Sequence, residues 1–491
     1  MLQEISLSKF KAFSELPPLN LKPLTILCGV NSAGKTSILK SLLLLKQSYE
    51  NSSATNELTL NGPYSINGTM KDVLHKSKGE NFSINNKFTI GFHGNRYTSN
   101  SKQDVSTGRE LGKISGLSNR QVSSFEIEVR CKVKKGIVSA MWDTNFIENY
   151  EICITPYSGN GDILEDKKYE IRLDYSVGKK GKYDIRLKNF PTLSGENLDK
   201  TLEGCSCYFS GMRLNNLYYE NAEKGLKLND FLTNVYAVCR IVANQYNGMK
   251  YLGPLRENPE RQYIINRNAV TVSSTGADTP FLLAKNQEKK ISGDLFPPQH
   301  EENFPEKSIG KRNDLLELVE AWMSYFELGK LDIINQQDVL QLNIRNVNIA
   351  DVGFGVSQAL PIIVQGISLE YEQVFLLEQP EIHLHPRMQM RMADFLISLS
   401  QTNHKVIIET HSDHIINRLV RRALESPDNN IIDNIAIYFV KNSVEGSLVE
   451  EVKIDKINGI TDCPPEFFSQ FAAETSHIVQ AGFSNLTKGR L

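Results

Sequence analysis

Eight residues near the N-terminus constrain the fold of this chain more than any other segment. They read Gly29-Val30-Asn31-Ser32-Ala33-Gly34-Lys35-Thr36, which matches the pattern G-x-x-x-x-G-K-[ST]. The apolar run 24–28 before them predicts a buried strand, and residues 37–46 after them predict a helix. A strand, a glycine-rich loop and a helix in this order form a phosphate-binding P-loop. The segment therefore predicts an α/β fold that binds a nucleoside triphosphate.

The residues of this loop have separate tasks in phosphate binding. Glycines let the backbone amides point inward at phosphate oxygens, and the positive end of the helix dipole adds to the attraction. The lysine can reach the β- and γ-phosphates, and the threonine hydroxyl after it can bind Mg²⁺. We therefore predict ATP and Mg²⁺ as cofactors, with ATP contacted by Asn31, Gly34, Lys35, Thr36 and Ser37.

A second segment suits the opposite side of a metal–nucleotide site. Residues 374–377 are apolar and Glu378 follows them, as in a buried strand that ends in a carboxylate. Such a carboxylate can bind Mg²⁺ across from the P-loop, so we predict Thr36 and Glu378 as metal ligands. His383 and His385 follow soon after. Structural packing is the preferred interpretation of these two histidines, because no further ligands lie at metal-binding spacing.

The composition limits the kind of protein. The chain has 491 residues, 40% of them hydrophobic and 23% charged, and a net charge of −2. These values are typical of a globular protein with two or three domains, and the overall charge gives no signature of nucleic-acid binding. No apolar stretch approaches the ~20 residues of a membrane span. The N-terminus reads as a strand rather than a signal peptide, and seven scattered cysteines suit reduced thiols. We predict a cytoplasmic protein with no membrane association.

Patterns along the chain predict a nucleotide-binding domain interrupted by an insertion. Alternating apolar and polar residues from about 55 to 190 predict antiparallel strands, and 228–249 has helical spacing. The polar stretches 94–120 and 285–312 predict loops, while 349–415 alternates buried strands with helices. The predicted segments are 1–80 with the P-loop, a β-rich and helical insertion 81–250, a linker and helical region 251–348, the second half of the nucleotide-binding domain 349–430, and a short C-terminal domain 431–491.

Several motifs together resemble those of ATP-binding-cassette ATPases of the SMC-like branch, which are AAA-type P-loop proteins. Residues 352–358 read VGFGVSQ and stand where that family has its signature loop, and 378–386 match its Walker B and D-loop region. His411 stands where the family has its switch histidine, and 251–256 is also similar to a segment of these bacterial ATPases. More narrowly, the chain resembles a bacterial subfamily with a short C-terminal domain of unknown function. Many relatives are ATPase subunits of anti-phage systems such as Septu, PARIS and retron-associated pairs.

The resemblance implies a homo-oligomer in which two ATP molecules lie between two copies. Ser357 would then contact the γ-phosphate bound by the neighbouring copy, while His411 would contact the γ-phosphate bound by its own chain. An ordinary helix cap is the alternative for Ser357. The fold implied is an ABC-type nucleotide-binding domain split by the insertion.

Gln379 departs from the family pattern. Most relatives have a glutamate after the Walker B acid, and that glutamate polarises the attacking water. An amide can hold a water molecule but cannot accept its proton at neutral pH. Hydrolysis should therefore be slow unless another carboxylate substitutes, and Glu381 is the nearest in sequence. The predicted catalytic residues are Gln379, Glu381 and His411.

Three functions fit these observations. The first is an ATP-gated regulatory subunit that controls a separate effector such as a nuclease or toxin in anti-phage defence. The second is an SMC-like ATPase that binds or repairs DNA. The basic segment 179–182 is thin support for it, and 418–422 is better support, although basic residues at helical spacing usually form a solvated face. The third is a scaffold that binds ATP without hydrolysing it. Co-purification with a partner would favour the regulatory subunit, and salt-dependent nucleic-acid binding would favour the DNA-binding ATPase. ATP binding without turnover would favour the scaffold.

Overall fold

A computed structural model describes residues 1–51, 57–92, 104–139, 142–176, 183–191, 201–219, 225–265, 272–292, 295–299, 312–336, 338–402, 404–426, 430–462 and 464. The described residues form two large β-sheets, two small ones and the helices that pack on them.

The strands of the first half of the chain are β1 (Leu2–Phe10), β2 (Phe13–Asn20), β3 (Leu24–Gly29), β4 (Asn81–Gly91), β5 (Ser124–Ser139), β6 (Trp142–Tyr157), β7 (Tyr169–Tyr175), β8 (Tyr183–Lys188), β9 (Thr201–Ser210) and β10 (Arg213–Tyr219). Those of the second half are β11 (Lys250–Leu252), β12 (Tyr263–Ile264), β13 (Lys290–Ser292), β14 (Arg312–Asp314), β15 (Leu331–Gln336), β16 (Val339–Ile344), β17 (Val347–Asn348), β18 (Val374–Glu378), β19 (Lys405–Glu409), β20 (Ile435–Asn442), β21 (Ser447–Asp455) and β22 (Gly459–Asp462).

The helices are α1 (Lys35–Glu50), α2 (Met70–Val73), α3 (Asp104–Ser115), α4 (Gly225–Asn247), α5 (Thr279–Asn286), α6 (Leu315–Tyr325), α7 (Phe354–Ile367), α8 (Pro386–Ser400), α9 (Asp413–Glu425) and α10 (Asn430–Asn434).

The larger sheet has nine antiparallel strands in the order β10–β9–β8–β7–β6–β5–β4–β1–β2. Buried and partly exposed residues alternate along β4, because successive side chains point to opposite faces of a sheet. The antiparallel strands predicted between 55 and 190 are thus confirmed. Strands β1 and β2 belong to the same sheet as the strands of the insertion. The predicted segments 1–80 and 81–250 therefore share one continuous β-sheet.

The second sheet has seven strands in the order β11–β18–β19–β3–β20–β21–β22. The strands from β11 to β20 run parallel, while β21 and β22 add an antiparallel edge. Every residue of β18 and β19 is buried, as expected for parallel strands covered on both faces. Leu376 and Ile407 face a core shared with α1 and α4, whereas Phe375 and Ile408 face a core shared with α6 to α9.

Helix α1 joins the P-loop to the insertion. The ring of Tyr49 stacks on Tyr246 of α4 with centroids 4.8 Å apart, and its hydroxyl lies 2.7 Å from the hydroxyl of Tyr150 in β6. All three residues are buried. Aromatic pairs of this kind add to the free energy gained from burial alone. The phosphate-binding helix is therefore fixed to the nine-stranded sheet at its C-terminal end.

Several sequence predictions can be compared with these elements. The helix predicted over 228–249 is confirmed as α4. The loop predicted over 94–120 is wrong at 104–115, where α3 lies, and 94–103 fall outside the described residues. The linker predicted over 285–312 is wrong at its ends, which hold the end of α5 and the paired strands β13 and β14. Within the described ranges, no helix is long and apolar enough to cross a membrane. The five-part domain division stays a prediction.

Candidate nucleotide-binding site

The loop between β3 and α1 takes its shape from two glycines. Gly29 has φ +126°, and a Cβ at this position would lie 2.2 Å from the carbonyl oxygen of Val440. Gly34 has φ +101° and packs against Ala12 and Ser447. Residues with side chains rarely adopt such backbone conformations. The two glycines let the chain turn sharply from β3 into the N-terminus of α1, which leaves a concave loop suited to phosphate.

Lys35 folds back over this loop. Its Nζ donates hydrogen bonds to the carbonyl oxygens of Gly29 at 2.9 Å and Val30 at 2.7 Å. The residue is buried, and burial lowers the pKa of its ammonium group. Phosphate oxygens are stronger acceptors than peptide carbonyls because they carry negative charge. Lys35 is thus placed to exchange these carbonyls for phosphate. Of the other predicted ATP contacts, Asn31 is exposed on the loop and Ser37 lies buried in the first turn of α1.

Two glutamates end adjacent parallel strands beside the P-loop. β18 ends at Glu378 and β19 at Glu409, and the two residues are paired in the strand register. Paired residues of parallel strands point to the same face of the sheet. Both are buried, with exposed fractions of 6% and 5%. The carboxyl edge of the sheet therefore places two carboxylates side by side next to the P-loop strand β3.

The two carboxylates differ in their partners. The hydroxyl of Tyr251 donates to Oε1 of Glu378 at 2.9 Å, and Arg256 donates to the main-chain oxygen of Glu378 at 2.9 Å. Thr36 donates from its hydroxyl to Oε1 of Glu409 at 2.9 Å. Oε2 of Glu409 is buried and has no hydrogen-bond partner among the described residues. The P-loop threonine and both strand-end acids thus form one connected cluster.

The electrostatics of this cluster favour a bound cation. Burial raises the pKa of Glu378 to about 7, and the neighbouring charge of Glu409 adds to this effect. Burial also raises the pKa of Glu409, against the opposing effects of the Thr36 hydrogen bond and the Lys35 charge. Removal from water and mutual repulsion both disfavour two ionised carboxylates. A cation between them would relieve both costs.

Sequence analysis assigned no role to Glu409. The signal was present, because residues 405–409 end a buried strand with an acid, just as residues 374–378 do. What was missing is the strand order, which places β19 between β18 and β3. That order depends on long-range pairing and cannot be read from local sequence pattern.

Gln379 follows Glu378 in a constrained backbone conformation. Its φ is +44°, which a residue with a side chain adopts at a cost, and such outliers cluster at functional sites. The main-chain N–H of Gln379 donates to the main-chain carbonyl oxygen of Glu409 at 2.7 Å, and the main-chain carbonyl oxygen of Gln379 accepts from Arg256 at 3.4 Å. The two strand ends are therefore linked through the backbone of Gln379.

Glu381 holds the segment that contains the predicted switch histidine. Its Oε2 accepts from the hydroxyl of Thr410 at 2.8 Å, and its Oε1 accepts from the main-chain N–H of His411 at 2.7 Å. The side chain of His411 is exposed, and partial burial together with the charge of Lys35 lowers its pKa. Lys35, Thr36, Glu378, Glu381, Glu409 and His411 thus converge on one edge of the sheet.

This geometry can now be set beside known proteins. A family model described as an AAA ATPase domain matches residues 1–230 and 278–416, which is well over half of the chain. The chain belongs to the AAA ATPase domain family. The matched segments contain the P-loop, both strand-end glutamates and His411. No curated protein matches this sequence.

The AAA ATPase domain is also similar to solved structures of SMC head domains. One is an SMC head bound to the C-winged helix domain of ScpA, with 10% identity, a TM-score of 0.40 and coverage of 93% of this chain and 98% of that chain. Another is an SMC head domain from Thermotoga maritima, with 8% identity, a TM-score of 0.33 and coverage of 92% of this chain and 99% of that chain. A third is an Smc head with an extended coiled coil, bound to the C-terminal domain of ScpA derived from Pyrococcus furiosus, with 10% identity, a TM-score of 0.34 and coverage of 93% and 97%.

The glycine-rich loop before α7 is the predicted signature loop of this AAA ATPase domain. Gly353 and Phe354 are exposed, and a Cβ added at Gly353 would meet open space. Ser357 lies one turn into the helix, where it is buried and its hydroxyl donates to the carbonyl oxygen of Phe354 at 2.9 Å. Gly353 and Phe354, rather than the serine, are therefore exposed at the start of this helix.

The residues present fit ATP and Mg²⁺. The P-loop provides a concave glycine-rich turn with a buried lysine, and the hydroxyl of Thr36 lies with two carboxylates and an unpartnered carboxylate oxygen. Mg²⁺ prefers such oxygen ligands and commonly uses one or two carboxylates together with phosphate and water. His385 has a structural task, since its Nδ1 accepts from the N–H of Arg387 and caps α8. Among the described residues, no group of three or more His, Cys, Asp or Glu side chains is placed to hold a metal.

The basic segment 418–422 is not a free basic surface in this AAA ATPase domain. Arg418 and Arg422 are buried and both contact Asp394 of α8, at 2.9 Å and 2.8 Å. Arg421 is exposed and pairs with Glu425. The segment therefore holds α9 against α8 and gives no support to nucleic-acid binding. The other basic segment, 179–182, lies outside the described residues.

Proposed function

We propose that this AAA ATPase is a slow ATP-dependent switch. It binds ATP and Mg²⁺ at the carboxyl edge of the seven-stranded sheet, pairs with a second copy through the bound nucleotide, and controls a separate effector protein. The observation that carries the proposal is the arrangement of residues 378–381. Gln379 stands where a proton acceptor is expected, and both oxygens of Glu381 already accept hydrogen bonds from the switch segment.

Slow hydrolysis follows from the chemistry of these groups. A glutamine amide can orient water but cannot take its proton at neutral pH. The hydrogen bonds from Thr410 and His411 stabilise the Glu381 carboxylate and oppose the rise that burial gives to its pKa, which weakens it as a base. ATP would therefore stay bound for a long time, and a long-lived ATP state suits a regulatory complex better than a motor.

Pairing through the nucleotide is the second part of the proposal. Gly353 and Phe354 are exposed at the N-terminus of α7, where free backbone amides favour anions. In a paired arrangement this loop would approach the γ-phosphate held by the neighbouring P-loop. Ser357 would support the loop through its hydrogen bond to Phe354.

Gly353→Arg tests pairing with little risk to the fold. The backbone at Gly353 has φ −58°, which any residue adopts, and the new side chain would enter open space. We expect wild type to assemble in the presence of ATP and Mg²⁺, as measured by light scattering. Gly353→Arg should stay monomeric while binding ATP as tightly as wild type. Ser357→Ala serves as a matched variant that removes the hydroxyl without adding bulk. ATP-dependent assembly of Gly353→Arg at wild-type strength would contradict pairing through this loop.

The effector is proposed to be a nuclease or toxin in anti-phage defence, in the cytoplasm. The support is the resemblance of the motifs to ATPase subunits of such systems. Co-expression with the product of the neighbouring gene should yield a complex, and phage plating should fall only when both proteins are present. Equal protection by the Lys35→Ala variant would contradict ATP-dependent control.

A further inference from the structure

Glu409 lies where the two halves of the nucleotide-binding sheet meet. Its strand β19 is flanked by β3, which leads into the P-loop, and by β18, which ends at Glu378. The parallel register places Glu409 level with Glu378 on one side and with Leu27, two residues before Gly29, on the other. Glu409 is thus the central residue of this edge.

Its carboxylate is bound by the polypeptide on one oxygen only. Oε1 accepts from the hydroxyl of Thr36 at 2.9 Å. Oε2 is buried and has no hydrogen-bond partner within the part of the chain that the structure describes. Folded proteins seldom leave a buried carboxylate oxygen in this condition, because the lost hydration is not replaced. The open oxygen requires a partner that the described polypeptide does not supply.

Comparison with Glu381 shows that the acids of this edge differ in this respect. Glu381 lies on the same edge, but its two oxygens accept from Thr410 and from the N–H of His411. Its carboxylate is accounted for by the fold. Glu409 keeps a free acceptor directly beside the P-loop threonine and beside a second carboxylate.

We propose that Glu409 is a direct ligand of Mg²⁺ and completes an oxygen site with Glu378 and the hydroxyl of Thr36. Two carboxylates and one hydroxyl leave the remaining positions of an octahedral ion to phosphate and water, as Mg²⁺ sites commonly do. The cation would neutralise two acids that are buried next to each other. The inference rests on the proposed function, because the cation is expected to arrive with the nucleotide.

Mn²⁺ binding measured by electron paramagnetic resonance tests this assignment without relying on turnover. Full-length wild type, Glu409→Gln and Glu378→Gln are titrated with Mn²⁺ at a saturating concentration of a non-hydrolysable ATP analogue. Glu451→Gln is the matched control, because Glu451 is an exposed acid on β21 of the same sheet. We expect both site variants to bind Mn²⁺ roughly 10–100-fold more weakly, the range seen when even an outer partner of a metal is lost. The control should match wild type.

Glu409→Gln can still accept the Thr36 hydrogen bond, so it separates metal binding from simple positioning of the threonine. Wild-type affinity for Mn²⁺ in Glu409→Gln would overturn the assignment while leaving nucleotide binding intact. Failure of wild type to bind the analogue, measured by calorimetry, would overturn the proposed function and this inference together. Melting without metal checks the fold, and Glu409→Gln should be at least as stable as wild type because one of two adjacent charges is removed.

Discussion

The two ends of strand β19 both carry a buried ionisable side chain, but the hydrogen-bond partners of the two side chains differ. At the start, Lys405 is 2% exposed and its Nζ donates to the carbonyl oxygen of Leu21 at 2.6 Å and to Oε1 of Gln3 at 3.1 Å. At the end, Glu409 is similarly buried yet has one oxygen without a partner among the described residues. The same strand thus begins with an ionisable group that has hydrogen-bond partners in the fold and ends with one that keeps an oxygen without a partner.

The difference teaches how to separate structural from functional buried charges. Removing a charged group from water is costly unless hydrogen bonds or an opposite charge replace the lost hydration. Lys405 and the cluster of Asp394 with Arg418 and Arg422 meet this requirement within the chain. Glu409 meets it on one oxygen only, and it lies beside the P-loop. In the proposed site, the open oxygen of Glu409 is the place where the cation would bind.

Arg422→Ala should have the largest effect, and it should act on stability alone. The change leaves Asp394 without one of its buried partners, and breaking a buried ion pair costs about 3–5 kcal/mol of unfolding free energy. Chemical denaturation measures this loss. Arg421→Ala is the control, because Arg421 is exposed and should change stability little. Loss of nucleotide affinity in the folded Arg422→Ala variant would contradict the distinction between buried charges that are paired within the chain and the open oxygen of Glu409.

Lys35→Ala should have the next largest effect, and it should act on nucleotide binding. Charge-assisted hydrogen bonds contribute ~1.5–3 kcal/mol each, so losing one such contact should weaken ATP binding by roughly 10–150-fold. Isothermal calorimetry measures the affinity. Lys405→Met removes the other buried lysine and should leave ATP affinity unchanged. Equal losses in both variants would show that any buried lysine supports binding through stability.

The pH dependence of the unfolding free energy should include a contribution from Lys405, the buried residue at the start of β19. Burial lowers the pKa of Lys405 to about 7, below its value of 10.5 in the unfolded chain. Between these values the unfolded state binds more protons, so stability falls as pH decreases from 10.5 toward 7. The contribution has a slope of at most about 1.4 kcal/mol per pH unit.

Lys405→Met should remove that contribution. The difference in unfolding free energy, wild type minus variant, measured by denaturation from pH 7 to 9, should therefore increase as the pH rises. Parallel profiles would mean that Lys405 keeps its proton throughout this range and that burial does not lower its pKa.

Local sequence pattern was sufficient for much of the fold. The P-loop was predicted because its glycines and lysine have fixed spacing between a strand and a helix, and α4 was predicted from its apolar periodicity. Helix α3 was missed because Gly108 and Gly112 are typical of loops. Here they allow close packing, since a Cβ at Gly108 would lie 2.3 Å from the carbonyl oxygen of Gly91.

The site was predicted less completely, and the missing parts depend on distant contacts. Glu409 gains its place from strand order, and Arg418 gains its burial from Asp394, 24 residues earlier. Ser357 was predicted to contact the neighbour's γ-phosphate or to cap a helix, whereas it lies buried one turn into α7, because a helix start cannot be placed to the residue from sequence. In each case the residue type was visible, whereas its neighbour was set by the tertiary fold.

Slow ATP turnover caused by Gln379 is tested most directly by phosphate release from wild type, Gln379→Glu and Glu381→Gln. Wild type should turn over well below the ~10 s⁻¹ typical of enzymes. Gln379→Glu should be faster, because it restores a proton acceptor beside the water, and Glu381→Gln should not be the variant that abolishes hydrolysis. Fast wild-type turnover that vanishes only in Glu381→Gln would contradict the account and identify Glu381 as the base.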